Sequence, residues 1–206
     1  MLMWVGLIVV GLVTLAPVVR FAAIQIRDSS LAEADGAMIT AKLAEDWPAQ
    51  RSANYLETLS ELALQLPAPD VDKALLAARR AVEADPSRAY AWATIAYLEA
   101  GKAKTATPAS IDALGKSMDA CPLCSAELVR WRFNFVLSNW GAIPEAMRRR
   151  AFEHADMLRW TDGNGEFLGE MQIKAARAGL PFDAYRSAVK TPVRGWDIEP
   201  AKAATK

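Results

Sequence analysis

Apolar positions along the chain fall into two regimes. From Leu2 to Val19 they run for 18 residues without a charge, and after Arg20 the apolar character continues to Ile26. About 20 such residues suffice to carry a helix across a bilayer core. Residues 1–27 are therefore expected to form a transmembrane anchor that includes Leu2, Trp4, Leu7, Val10 and Thr14. A cleaved signal peptide is the competing reading. Against it, the run is longer than a signal core, nothing basic precedes it, and Arg20 and Ile24 make a poor cleavage site.

Beyond residue 27 the apolar positions become periodic. Asp28-Ser29-Ser30 can cap a connecting helix through about Leu43, within a linker of residues 28–47. Tyr55, Leu59, Leu62 and Leu66 recur at spacings that place them on one helical face, and Leu66-Pro67-Ala68-Pro69 ends that helix. The segment VDKALLAARRAVEADPSRAYAWATIAYLEAGK, residues 71–102, reads as two helices parted at Asp85-Pro86. Ile111, Leu114 and Met118 supply the next stripe, followed by Leu128, Trp131 and Phe135, then by Met147, Ala151, Ala155 and Leu158 after Pro144. Thr161 to Gly165 reads as a turn, and a helix from about Glu166 to Ala178 ends at Gly179. Pro181 starts a last short helix through Ala188, and residues 191–206 read as an extended tail.

Val-, Ile- and Thr-rich alternation is nearly absent outside the N-terminus while alanine is abundant, which favours an all-α chain packed through small residues. Ala74, Ala78 and Ala81 precede the turn at Pro86, and Trp92 follows it by six residues. These residues occupy the places of the small side chains, closing proline and following tryptophan of a tetratricopeptide repeat, and the segment resembles that family. Ala96 and Glu99 stand where the family usually has glycine and tyrosine. Pro122 lies 36 residues after Pro86, close to the family period. The resemblance implies an α-solenoid of antiparallel helix pairs over residues 48–190, with two and a half to three divergent repeats. The expected fold is thus all-α, one transmembrane helix followed by a tetratricopeptide-like solenoid.

Charge and candidate chemistry then narrow the function. Lys plus Arg (24) equals Asp plus Glu (24), so no general field draws nucleic acid. Cys121-Pro122-Leu123-Cys124 has the spacing of thioredoxin-like oxidoreductases, but no strand pattern precedes it. A local disulfide between Cys121 and Cys124, or two reduced buried thiols, fits the spacing better. A zinc site would need four ligands, and the chain offers two cysteines and the single His154. His154 lies on a helix of mixed charge without a nucleophile motif, and is expected to face solvent or pack in part. Arg148, Arg149 and Arg150 fan over about 200° of a helix, so they cannot share one ligand. Their expected role is a solvated face with Glu145–Arg149 and Arg149–Glu153 pairs. With Arg130, Arg132 and Trp92 they supply the candidate interaction face. Trp92 and Trp131 are expected between repeat helices, and no nucleotide-binding motif is present.

The expected function is therefore non-catalytic, with no cofactor, no metal and no small-molecule ligand. The chain would be a scaffold of the bacterial cell envelope, binding other membrane or envelope proteins and the lipid bilayer. By analogy it would act in polysaccharide assembly or export. Arg20 and Arg27 after the span point to a cytoplasmic domain. The cysteine pair points the other way, and the expectation takes a single-pass inner-membrane protein with a periplasmic domain. The alternatives are an accessory subunit of a large membrane complex and a thiol oxidoreductase using Cys121 and Cys124.

Overall fold

The computed structural model describes residue 31 and residues 33–45, 51–158 and 163–189. Regular structure among these is helical: α1 (Gly36–Ala44), α2 (Ala53–Gln65), α3 (Val71–Ala84), α4 (Ala89–Ala103), α5 (Pro108–Ala120), α6 (Ala126–Ser138), α7 (Glu145–Met157), α8 (Asn164–Arg177) and α9 (Phe182–Ala188). Several boundaries have a local cause. The side chains of Asp35, Ser52, Asp70, Thr107 and Ser125 accept amide hydrogens of the first turns of α1, α2, α3, α5 and α6. Gly179, with φ of 66°, closes α8. Its N–H donates to Ala176 O and that of Leu180 to Ala175 O, so glycine takes the left-handed place that L side chains resist.

The helices alternate in a fixed rhythm. Second members of successive pairs open at Val71, Pro108, Glu145 and Phe182, a constant step of 37 residues. The first members open at Ala53, Ala89, Ala126 and Asn164 and keep nearly the same step.

The chain divides into two compact units, with the division falling after Ile95 inside α4. In the first unit α2 lies on α3 and α1 on α2. Ala74, Ala77, Ala78 and Ala81 have no solvent exposure, so much of the buried face of α3 is alanine and the two backbones can approach closely. The Ser60 hydroxyl uses that approach to donate to Ala74 O across 2.7 Å. The buried face of α2 is Tyr55, Leu56, Leu59, Ser60 and Ala63, whereas Leu62 is only half-buried. The stripe is thus turned slightly from the expected Tyr55–Leu59–Leu62–Leu66 line. Glu57 ties the next helix in: its carboxylate accepts from Ala91 N at 2.8 Å in the first turn of α4 and pairs with Arg88. An acid at a helix start is favourably placed against its dipole.

In the second unit α6 packs on α7 and α8, and α9 on α7 and α8. Leu114 and Met118, Val129, Phe133 and Val136, and Ala151, Phe152 and Ala155 fill its core. Phe133 meets Phe152 edge-on at 4.8 Å, and Phe182 brings α9 to within 5.2 Å of Phe152. Trp131 is half-buried instead of central, because α6 turns Arg132 and Phe133 inward.

Two expectations are corrected. No helix among the described residues is long and apolar enough to cross a membrane. The longest, α4, has 15 residues, about 22 Å at 1.5 Å per residue, short of a hydrocarbon core of about 30 Å. The architecture of the described residues is accordingly all-helical without a transmembrane element, and the single-pass inner-membrane location is withdrawn with it. The anchor residues Leu2, Trp4, Leu7, Val10 and Thr14 lie outside the described residues, as does the tail 191–206. The connecting helix is described from Gly36, capped by Asp35, whereas Asp28-Ser29-Ser30 lie outside the described residues.

Candidate interaction surface

The residues singled out in the sequence take up separate duties. Trp92, in the first unit, is half-buried and its indole N–H donates to Pro86 O at 2.9 Å, so the ring closes over the turn it follows. In the second unit Arg130 stacks its guanidinium 5.7 Å from the Phe167 ring. Arg148 lies 4.7 Å from the Trp140 ring and donates through Nε to Ile143 O at 2.8 Å. Arg149 pairs with Glu145 at 2.8 Å, the expected i,i+4 contact, and Arg150 reaches Asp119 on α5 at 2.5 Å. Glu145 also accepts from the Tyr185 hydroxyl. That bond, followed by the one from Arg149, lowers the Glu145 carboxyl below its ordinary range. The arginines of α7 thus take three separate partners, the preceding turn for Arg148, α7 itself for Arg149 and α5 for Arg150, and are not gathered on one ligand.

Arg132 departs furthest from an exposed basic face. It is 1% exposed. Its Nε donates to Ser117 Oγ at 3.1 Å, Nη2 to Ser117 O at 2.5 Å, and Nη1 to Cys121 O at 2.9 Å and Pro122 O at 3.2 Å. These acceptors close the C-terminal end of α5, where carbonyls collect partial negative charge. Cys121 and Cys124 are joined by a disulfide, with Cα atoms 5.5 Å apart. Cys121 is the C-cap of α5, and Cys124 directly precedes Ser125, the N-cap of α6. A nucleophilic cysteine of the oxidoreductase kind is activated at a helix N-terminus; here the first cysteine sits at a C-terminus, where the dipole opposes a thiolate.

His154 is buried, not solvent-facing, with Nδ1 lacking a hydrogen-bond partner. Burial, then the positive fields of Arg150 and Arg132, push its pKa down to about 4, and Asp119 opposes them. It is a neutral core side chain over the ordinary pH range. Among the described residues no three His, Cys, Asp or Glu side chains are grouped to hold a metal ion.

No protein-family model matches this chain, and neither does any curated protein or solved structure. The surface itself then carries the functional reading. Tyr97 and Leu123 are exposed large side chains of the second unit, and Ile173 on α8 is the most exposed at 57%. Beside Ile173 lies an open groove of about 430 Å3 lined by Glu170, Ile173, Lys174, Arg177 and Ala178. Lys174 is held in place from behind, donating to Asn134 Oδ1 at 2.6 Å and Ser138 Oγ at 2.9 Å on α6.

The reading of arginines and tryptophans passed over this groove. A signal for it exists: α8 buries Leu168 and Ala175. At about 100° per residue Ile173 lies nearly opposite Ala175, an isoleucine on the polar side of an amphipathic helix.

Proposed function

We propose that the chain is a protein-interaction module of divergent tetratricopeptide-like hairpins, binding a partner along the outer face of α8 and performing no catalysis. The groove beside Ile173 is the observation that carries this reading. It combines an exposed apolar centre with Glu170, Lys174 and Arg177 around it, the arrangement of an interface hot spot with its polar rim. The constant 37-residue step between second helices supports the repeat-like part of the reading. Two of the three rim charges are basic. The partner that fits is a protein segment placing an apolar side chain against Ile173 and carboxylates against Lys174 and Arg177.

The test is purification of the full-length chain from its native cells, with mass spectrometry of retained proteins, for the wild type and for Ile173→Asp. The variant changes an exposed position and should fold with an unchanged melting temperature. Loss of a stoichiometric wild-type partner by at least tenfold in the variant is expected. Equal recovery from both chains would remove α8 from the interface. Recovery of a multi-subunit assembly indifferent to Ile173 would make the chain an accessory subunit held by another surface.

A further inference from the structure

The junction between α5 and α6 is five residues, from Cys121, the C-cap of α5, to Ser125, the N-cap of α6, and the disulfide closes its first four. Two features of this junction belong together. Pro122, Leu123 and Cys124 are exposed, so the disulfide is open to a reagent in solution. The carbonyls of Cys121 and Pro122, within the same ring, hold Nη1 of the buried Arg132. A guanidinium is always charged and has five N–H donors to satisfy. Once it is buried, every acceptor that moves away leaves a donor that water cannot reach, which is costly. The disulfide therefore fixes the positions of two acceptors on which a buried cation depends, while Ser117 supplies the other two from the last turns of α5.

We infer that Cys121–Cys124 is a thiol–disulfide exchange site for a dithiol reductant, and that Arg132 converts its redox state into opening or closing of the α5–α6 junction. In the exchange, a thiolate of the dithiol attacks one sulfur of the pair and breaks the S–S bond. The second thiol of the reagent then attacks the mixed disulfide. Cys121 and Cys124 leave as two thiols, and the reagent departs as its own disulfide with the two electrons supplied. With the ring cut, the loop is free to turn the Cys121 and Pro122 carbonyls outward. The guanidinium then keeps only its Ser117 acceptors among the four described, and the end of α5 frays together with the start of α6. In this scheme the chain is the target of exchange and not its catalyst, which separates the inference from an oxidoreductase role. It also stands independently of any partner at α8.

The experiment is amide hydrogen exchange of the full chain, oxidised and after incubation with dithiothreitol, with thiol alkylation and mass spectrometry reporting the state of the cysteines. Reduction is expected to speed exchange at Cys121, Leu128 and Val129 at least tenfold, and to leave Ala77, Ala78 and Ala81 within a factor of two. The Cys121→Ser/Cys124→Ser chain should exchange fast at the junction with or without reductant. In Arg132→Lys the fork is replaced by a point charge that cannot span the same acceptors. The junction should then be fast in both states, and the effect of reduction should shrink below threefold. Three results would overturn the inference: a disulfide that dithiothreitol does not reduce in the folded chain, junction amides indifferent to reduction, or an undiminished effect in Arg132→Lys. If Arg132→Lys does not fold, the wild type decides. Uniform acceleration in α3 as well as at the junction would then count against a local device.

Discussion

At the scale of single residues the second unit is organised around positive charges placed where few sequences would put them. Arg132 is fully inside and Arg150 spans two helices. His154 lies in the field of both, with Asp119 as the nearby counter-charge. The sign of its effect on stability follows from its depressed pKa. The ordinary value of 6.5 applies in the unfolded chain and about 4 in the folded one. The folded state therefore favours neutral imidazole, and its advantage is complete above pH 6.5. It is lost as the pH falls through the window from 6.5 to about 4, because the unfolded chain takes up the proton first. A shift of this size corresponds to roughly 3 kcal/mol. Urea midpoints measured from pH 7.5 to 4 should fall across that window. The His154→Gln chain should show a shallower fall, while an equal slope in both would place the acid sensitivity elsewhere.

Helices are set by their ends more than by their middles. Prolines and a glycine made several ends readable, since Pro67, Asp85-Pro86, Pro144, Gly179 and Pro181 all mark observed boundaries, whereas the polar caps Asp35, Ser52, Asp70, Thr107 and Ser125 were not read. Gly169 within α8 and Gly179 just beyond its end make opposite predictions from this rule. A Cβ added at Gly169 meets nothing within 4 Å, and the position lies in mid-helix. Gly169→Ala should therefore raise stability by about 0.5–1 kcal/mol in a denaturant titration. At Gly179 φ is 66°, and alanine there should lower stability by about 1 kcal/mol, although space is open around it. If the two substitutions moved the midpoint in the same direction, backbone conformation would not be what distinguishes them.

For the molecule as a whole, the sequence conveyed the helical class and the alternation of helices but not their exact period or the site. A tetratricopeptide ruler of 34 residues slips by three residues per unit against the observed step of 37, nearly one helical turn. The likeness around Ala74–Trp92 therefore fades by the next pair. The interaction face drawn from Arg130, Arg132, Arg148 and Arg149 failed to gather for another reason. Charge on a helix cannot be assigned to solvent or to a neighbouring helix until the neighbour's carbonyls and acids are known. Ser117, Cys121 and Asp119, among the partners of Arg132 and Arg150, are on α5 or its C-cap, and Pro122 follows directly after it. The envelope-pathway expectation leaned on the membrane tether and is not carried forward. Division into two units makes its own prediction. Phe133 lies edge-on to Phe152, Phe167 and Phe182, so Phe133→Ala should cost about 3–5 kcal/mol. Amide protection should fall from α5 to α9 and persist in α2 and α3. Loss of protection in α2 and α3 to the same degree would mean that the chain unfolds as one block.

The regular step between second helices also bears on how such a chain changes by descent. Duplication or deletion of one 37-residue stretch returns the start of every later second helix to the same phase, and that of the first helices to within a residue. An extra residue within a helix instead rotates all that follows in that helix by about 100° and carries core side chains toward water. Tolerated changes of length should thus come as whole hairpins, or as residues added in the turns, making the number of hairpins the quantity most free to drift between lineages.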